Sequence, residues 1–226
     1  MRHENPPSNL RPSVRCMPES FFITGTDTGV GKTVVSALLC VGLDATYWKP
    51  VQTGTREGTD TETVMRLAKL PRARTLPESY RFKPPVSPHL AAKWAGVRIE
   101  LRKIKLPAPV QGSLIAEGAG GVLVPLNRTQ LMTDLMRHLN LPVLLVARTS
   151  LGTINHTLLS LAALRASRLD VRGAIMVGKP NRDNKAAIER YGQIPVAGIV
   201  PLLRRIDRAA LKTVFHKNFD RRMFRA

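Results

Sequence analysis

A glycine-rich segment near the amino terminus carries the residues with the clearest chemistry. Three glycines lie between residues 25 and 31, Lys32 and Thr33 follow them directly, and the apolar stretch Phe21–Thr24 precedes them. Glycines let backbone amides crowd around phosphate oxygens, and a lysine and a threonine at the start of the next helix contact the terminal phosphates and Mg²⁺. The segment therefore predicts a nucleoside triphosphate site, although five residues separate its first and last glycines where the common motif has four.

Two carboxylates and a second lysine are the other candidates for chemistry. Asp60 begins a predicted helix, and Glu117 ends a predicted strand and is followed by Gly118 in a glycine-rich turn. Asp60 on its own also fits a helix N-cap, but beside a phosphate loop Thr33, Asp60 and Glu117 fit a Mg²⁺ site. Lys49 ends another predicted strand, where its charge is suited to neutralise a transferring phosphoryl group.

The chain must fold so that these residues meet at one edge of a sheet. Short apolar runs alternate with segments of helical period, which is typical of parallel βαβ units and predicts an α/β fold with a mostly parallel central sheet flanked by helices. Ligands of such sheets bind at the carboxyl ends of the strands. The predicted strands are Phe21–Thr24, Thr46–Lys49, Ser113–Glu117, Val143–Ala147, Val171–Val177 and Val196–Ile199. The predicted helices are Lys32–Val41, Asp60–Lys69, Pro88–Trp94, Gln130–Leu139, Asn155–Ser167, Asn184–Tyr191 and Arg208–Phe215, the last of which either packs or trails off with the basic tail.

Length and composition exclude several classes of protein. The chain has 226 residues, 43% of them apolar, which fits one domain with a buried core. It has no apolar run near the ~20 residues of a membrane span, no apolar secretory signal segment in residues 1–16, and only two cysteines. We expect a cytoplasmic protein without a membrane partner, with a disordered leader over 1–16, a P-loop domain over 17–201 and a basic C-terminal helix or tail over 202–226.

The formal net charge of +19 first suggests a nucleic-acid partner. Residues 202–226 hold eight Lys and Arg against two Asp, and the other basic residues are spread along the chain without a cluster. Aromatic residues, which stack on bases in many nucleic-acid sites, make up only 5% of the sequence. The charge pattern therefore favours a basic but non-specific surface over a nucleic-acid site.

The motifs taken together resemble those of the dethiobiotin synthetases, a family of deviant P-loop enzymes that close a cyclic urea in biotin synthesis. The resemblance covers roughly residues 20–201, and the longer gap between the glycines is this family's form. Its blocks occur in order as Gly25–Thr33, Lys49–Gly54, Asp60, Ser87–His89, Glu117–Gly121 and Leu151–His156.

The resemblance implies a three-layer P-loop NTPase-like fold and an ATP-dependent ligase. Its substrates are 7,8-diaminononanoate, CO₂ or bicarbonate, and ATP, its cofactor is Mg²⁺, and its assembly is a homodimer. The implied catalytic residues are Lys32, Lys49 and Thr53, and the implied Mg²⁺ ligands are Thr33, Asp60 and Glu117. The implied ATP-binding residues are Gly29, Val30, Gly31, Lys32, Thr33, Asp60, Glu117, Gly118, Val177, Gly178 and Pro201. The implied substrate-binding residues are Thr28, Lys49, Thr53, Gly152, Thr153 and Asn155, where Asn155 is equally suited to be a helix N-cap.

The sequence departs from the family pattern at two functional positions and in length. Gly29 stands where many members have Glu, and Val177 stands where many have an Asn that contacts adenine, so base selection would depend on backbone groups near Gly178 and Pro201. We therefore expect weak discrimination between ATP and other triphosphates. The chain is also shorter than expected between Thr33 and Lys49 and between Ile99 and Ser113. The second difference predicts that a helix is reduced before Ser113 and that 98–105 forms a charged connector.

Two other functions remain open at this point. A partitioning-type P-loop ATPase would use the basic surface to bind DNA, but it leaves Ser87–His89 and Leu151–His156 unexplained. A regulatory P-loop domain that binds nucleotide without turnover would fit the altered base-contact position. Consumption of ATP that requires a diamine and bicarbonate distinguishes the synthetase from both.

Overall fold

A mostly parallel α/β architecture is present in the computed structural model, which describes residues 20–106, 110 and 112–224. Within these residues the strands are β1 (Phe21–Gly25), β2 (Thr46–Trp48), β3 (Val51–Gln52), β4 (Thr75–Leu76), β5 (Tyr80–Arg81), β6 (Leu114–Glu117), β7 (Val143–Arg148), β8 (Val171–Val177) and β9 (Val196–Val200). The helices are α1 (Lys32–Gly42), α2 (Asp60–Ala68), α3 (Pro88–Trp94), α4 (Met132–Leu139), α5 (Thr153–Ala166), α6 (Arg182–Gly192) and α7 (Arg208–Asn218).

Seven of the strands form one sheet in the order β4-β2-β6-β1-β7-β8-β9, and each neighbouring pair is parallel. The short strands β3 and β5 pair separately. The predicted fold class is confirmed, and all six predicted strands and all seven predicted helices are present within two residues at their starts. The sequence did not predict β3, β4 and β5, because two-residue strands are too short to show an alternating pattern.

The core has two parts, one on each face of the sheet. Apolar side chains of α1, α2 and α7 cover one face, and those of α3, α4, α5 and α6 cover the other. Neighbouring residues of β1 show the division, because Phe21 and Ile23 point into the first part and Phe22 into the second. A strand buried on both faces reads as a continuous apolar run, as β1 and β7 do.

The C-terminal segment is built into this core. Phe215 of α7 packs against Gly42 at the end of α1 so closely that a Cβ on the glycine would lie 2.4 Å from the ring. Phe219 packs against Gly198 of β9, and the ring of Phe224 meets the edge of Phe21 with centroids 5.7 Å apart. Of the two outcomes left open for the last helix, packing is confirmed. The division into leader, domain and tail stays a prediction, and the leader lies outside the described residues.

Among the described residues between α3 and β6, which are 95–106, 110, 112 and 113, the structure has one turn of 3₁₀ helix, Leu101–Lys103, as expected for a reduced helix. This segment is charged on its outer side, but Ile99, Leu101 and Ile104 are buried in the core. The connector is therefore held in place by three apolar anchors. In the part of the chain that the structure describes, no helix combines the length and the apolar character needed to cross a membrane.

Candidate active site

A cleft of about 670 Å³ lies at the carboxyl ends of β1, β2 and β6. These strands are neighbours in the sheet, so the segments that follow them meet although they are far apart in sequence. The cleft is lined by most of the predicted residues, namely Thr28, Gly29, Gly31, Lys32, Thr33, Lys49, Thr53, Asp60 and Glu117. Parallel pairing of three strands thus brings together the phosphate loop, the second lysine and both carboxylates.

The phosphate loop connects β1 to α1 and needs its glycines. Gly29 and Gly31 have φ angles of 71° and 101°, which a residue with a side chain rarely adopts. A Cβ on Gly31 would also lie 3.1 Å from Val177. The Lys32 ammonium is buried and donates to the Asp27 carbonyl at 3.0 Å. Burial lowers the pKa of Lys32 to about 8, against the raising effect of the Glu117 charge. The lysine is therefore mainly charged at neutral pH.

A compact polar cluster forms the floor of the cleft. Thr33 Oγ1 lies 2.9 Å from Asp60 Oδ1 and 3.0 Å from Glu117 Oε1. Lys49 Nζ lies 2.7 Å from Asp60 Oδ2 and 3.0 Å from Glu117 Oε1, and it also donates to the Gly118 carbonyl at 2.9 Å. Lys49 and Glu117 are 3% and 1% exposed, so their opposite charges compensate each other out of contact with water.

The charges of this cluster shift the pKa values of its members. Burial by itself favours a neutral Lys49, but the carboxylates of Glu117 and Asp60 outweigh it and raise the pKa of Lys49. Burial likewise favours a protonated Asp60, but the Lys49 charge and the hydrogen bonds from Lys49 and Thr33 lower the pKa of Asp60. Lys49 and Asp60 are thus charged across the neutral range.

Tyr47 is a member of the cluster that the sequence did not reveal. Its hydroxyl group donates to Glu117 Oε2 at 3.0 Å, and the side chain is fully buried. Burial and the nearby Glu117 charge raise the pKa of Tyr47 well above its usual value, so the phenol keeps its proton and remains a donor. A tyrosine in an apolar strand is read as a core residue, and only the pairing of β2 with β6 brings it to Glu117.

The start of α2 frees Asp60 for the cluster. Thr59 is the N-cap, and it forms a capping box in which its side chain accepts from the Glu62 amide and Glu62 accepts from the Thr59 amide. The interpretation of Asp60 as an N-cap is therefore wrong, because Asp60 is the first helical residue. Gln52, also missed from the sequence, accepts from the Asp60 amide at 3.1 Å and donates to the Thr53 carbonyl at 2.6 Å.

The other predicted ATP-binding residues lie outside the lining of the cleft. Val30 is buried beneath the loop, where its side chain packs against Gly25, and Gly118 continues from Glu117. Val177, Gly178 and Pro201 lie at the carboxyl ends of β8 and β9, where the Gly178 amide donates to the Val200 carbonyl. These ends are adjacent to the phosphate loop through the contact between Val177 and Gly31.

The start of α5 also lies apart from the cleft. Gly152, with a φ of 88°, is the N-cap, and Thr153 is the first helical residue. Asn155 is the third helical residue and is exposed, so its interpretation as an N-cap is wrong. The Thr153 hydroxyl donates to the Arg148 carbonyl at 2.5 Å. Within one chain, the structure does not bring Gly152, Thr153 and Asn155 to the phosphate loop residues that line the cleft.

Comparison with known proteins gives relatives over almost the whole chain. A family model described as an AAA domain matches residues 19–210. The ATP-dependent dethiobiotin synthetase BioD of Rhodopseudomonas palustris (strain HaA2) is 47% identical over 204 residues, which are 90% of this chain and 95% of that protein. The enzyme of the same name from Novosphingobium aromaticivorans is 48% identical over 200 residues, 88% of this chain and 96% of that protein.

A solved structure shares the fold at low sequence identity. The ParA family ATPase from Chlorobium tepidum TLS matches with a TM-score of 0.51 and 13% identity, covering 87% of this chain and 90% of that one. This likeness shows a common architecture and says nothing about what this chain binds. The partitioning interpretation therefore has the fold and the basic charge in its favour, whereas the relatives at 47% identity extend over all the motif blocks.

Proposed function

Because this chain belongs to the ATP-dependent dethiobiotin synthetase family, we propose that it is the ligase that converts 7,8-diaminononanoate, CO₂ and ATP into dethiobiotin, ADP and phosphate. The observation that carries the proposal is the convergence of Lys32, Lys49, Asp60 and Glu117 at the floor of one cleft beside the phosphate loop. Two lysines and two carboxylates at that place fit phosphoryl transfer from ATP to an oxygen of a small substrate.

The phosphate loop residues 29–33 would hold the phosphates of ATP. The Lys32 ammonium, buried and mainly charged at neutral pH, is placed to offset the charge of the terminal phosphates. Its pKa of about 8 in the chain alone leaves room for phosphates to raise it, since a nearby negative charge favours the charged amine. ATP binding would therefore strengthen the charge that binds it.

The donor set at the floor of the cleft fits Mg²⁺. Thr33, Asp60 and Glu117 present hard oxygen atoms, and Thr33 Oγ1 lies within about 3 Å of an oxygen of each carboxylate. Mg²⁺ usually binds through one or two carboxylates and completes its shell with phosphate oxygens and water. When bound, Mg²⁺ would supply Lewis-acid stabilisation of phosphate charge.

Lys49 and Thr53 would act on the substrate side of the cleft. A carbamate formed from one amine of the diamine and CO₂ is already anionic, so its attack on the γ-phosphate needs no general base with a strongly shifted pKa. Lys49 is charged and buried beside the carboxylates, where its charge can offset charge on the transferred group. The second amine then displaces phosphate and closes the ring, with Thr28 and Thr53 in the cleft wall to position the diamine.

The diamine carboxylate would bind at the start of α5 of a second subunit. The amides of Gly152 and Asn155 at this helix N-terminus suit an anion, whereas the Thr153 amide already donates to the Ser150 carbonyl at 3.2 Å. None of these residues lines the cleft, so a second subunit would bring the two parts together. Leu151 directly before α5 and Leu159 about two turns into it are largely exposed, which supports a covered surface on this helix. We infer a homodimer on this basis.

Selection of the base would depend on the backbone around Val177, Gly178 and Pro201, since the Val177 side chain has no hydrogen-bonding group. This arrangement supports weak discrimination between triphosphates.

The proposed substrates are small molecules, and the proposed activity requires no nucleic acid and no membrane. We accordingly assign the protein to the cytoplasm.

An assay of ATP consumption tests the proposed function. We expect phosphate release that requires both the diamine and bicarbonate, together with formation of the cyclic urea by mass spectrometry. Lys32→Gln is expected to lower kcat/KM at least about 100-fold, because it removes a charge from the phosphate site. ATP hydrolysis that does not require the diamine and increases with added DNA would refute the proposal in favour of a partitioning ATPase.

A further inference from the structure

Arg148 contacts both places where we propose that anions bind. It is the last residue of β7, and its Nη2 donates to the carbonyl of Thr28 in the phosphate loop at 3.3 Å. Its own carbonyl accepts from the hydroxyl of Thr153, the first residue of α5, at 2.5 Å. Arg148 thus stands at the rim of the cleft, between the phosphate loop and the start of α5.

The guanidinium keeps most of its hydrogen-bonding capacity unused. In the part of the chain that the structure describes, its contacts come from Nη2 alone, and Nε and Nη1 have no hydrogen-bond partner. Asp27 lies nearby, but its Oδ2 is 3.9 Å from Nη2, beyond hydrogen-bond distance, and both side chains are more than half exposed. The positive charge is therefore tethered by one bond and only weakly compensated.

The space in front of the guanidinium is open. Gly29 faces Arg148, and even a Cβ on this glycine would lie 3.9 Å from Nη2. Nη1 and the second hydrogen of Nη2 form the end of the guanidinium fork, which matches the two oxygens of a carboxylate or phosphate. Because the Arg148 side chain is already held by Thr28, it loses little further conformational entropy when an anion binds the fork.

We propose that Arg148 is a substrate-binding residue that holds an anionic group, a phosphate of ATP or the carboxylate of the diamine, through the end of its guanidinium fork. The proposal rests on the proposed synthetase function, because it takes both anions from that reaction. The phosphate and the carboxylate both offer two oxygens that carry a negative charge, and kinetics with each substrate distinguish between them.

Steady-state rates of Arg148→Ala and Arg148→Lys against each substrate test the proposal. We expect KM for one substrate to rise about 10-fold or more in Arg148→Ala, the loss of a hydrogen bond to a charged group, while kcat changes much less. Arg148→Lys should recover part of the loss, since it keeps the charge without the fork. Arg137→Ala is the matched control, because Arg137 is 55% exposed and likewise donates to a backbone carbonyl, that of Ser167, away from the cleft.

Two further measurements identify the anion. A diamine with a methyl group in place of the carboxylate should show equal KM values in the wild-type protein and in Arg148→Ala if the carboxylate is the group held. If a phosphate is held, KM for ATP rises with either diamine, and a direct titration shows weaker ADP binding in Arg148→Ala. Either pattern supports the proposal.

Two results would overturn it. KM values for both substrates that match those of Arg137→Ala refute a role for Arg148 in binding, and so does a fall in thermal stability with no change in either KM. Absence of diamine-dependent turnover in the wild-type protein refutes the proposed function itself, and this inference with it. Turnover in the wild-type protein with unchanged kinetics in Arg148→Ala refutes the inference alone.

Discussion

Lys49 shows how one buried cation organises the residues around it. It is hydrogen-bonded to Asp60, Glu117 and the Gly118 carbonyl, so two carboxylates that would repel each other share one positive charge. The same carboxylates are the ones we assign to Mg²⁺. Lys49 therefore stabilises the metal-free site in addition to its proposed role in the reaction.

Replacement of Lys49 by Met should destabilise the metal-free protein. The change keeps the volume but removes the cation that contacts Asp60 and Glu117 and leaves only the more distant charge of Lys32. Breaking a buried ion pair in this way costs about 3–5 kcal/mol. Urea unfolding in EDTA measures the loss, and added Mg²⁺ should restore more stability to the variant than to the wild-type protein. Lys185→Met is the control, because the surface pair between Lys185 and Glu189 contributes at most about 1 kcal/mol.

A free energy of unfolding for Lys49→Met in EDTA within about 1 kcal/mol of the control variant would contradict this account. It would mean that the two carboxylates lose their charges or separate at little cost. A loss that Mg²⁺ does not reduce would contradict the assignment of the same carboxylates to the metal.

At the scale of elements, α1 links the phosphate loop to the C-terminal helix. Its first residues, Lys32 and Thr33, belong to the site, and its last residue, Gly42, packs under the Phe215 ring of α7. Gly42 has an ordinary helical backbone, so the requirement for glycine here comes from the space that the ring occupies. The close contact allows α7 to cover the same face of the sheet as α1.

Gly42→Ala should destabilise the protein through this contact. An added Cβ would meet the Phe215 ring at 2.4 Å, and overpacking of this kind costs about 1–3 kcal/mol, more than the helix propensity gained. Phe215→Leu removes the ring edge, so Gly42→Ala should cost clearly less in that background. A double-mutant cycle by urea unfolding measures the coupling. An equal cost of Gly42→Ala in both backgrounds would show that the ring is not the cause.

At the scale of the whole molecule, the basic C-terminal segment combines core packing with surface charge. Its inward side chains complete one half of the core, whereas its lysines and arginines are mostly exposed. The sequence draws attention to the charges because they are numerous, and the structure assigns the stabilising role to the apolar residues between them.

Truncation after Ile206 should prevent folding. It removes apolar side chains that each contribute about 1.5–3 kcal/mol, and together they approach the stability of a typical domain. The buried residues lost are Leu211, Val214, Phe215, Phe219 and Phe224. Circular dichroism during heating should show no cooperative transition for the truncated chain.

A charge-neutralised variant separates the two properties of the segment. Lys212→Gln, Lys217→Gln and Arg221→Gln combined change only exposed residues and should leave the free energy of unfolding within about 1 kcal/mol of the wild type. If the truncated chain unfolds cooperatively near the wild-type temperature, the segment is a dispensable tail as its charge alone suggests.

Local sequence patterns were enough to predict the fold class, the phosphate loop and the strand ends at which the proposed functional residues occur. These follow from local patterns, because apolar period, glycine placement and cap residues act over a few neighbouring positions. Asp60 and Glu117 could be assigned to one site for the same reason, since the carboxyl ends of parallel strands share an edge.

The contacts between these side chains depend on how the whole chain folds. The order β2-β6-β1 brings Tyr47 to Glu117 and Lys49 to both carboxylates, across separations of 11 to 70 residues. A pattern over a few neighbouring residues does not encode the strand order. The order depends on how all the helices pack on the two faces of the sheet. The same holds for Arg148, whose place beside Thr28 results from the pairing of β7 with β1.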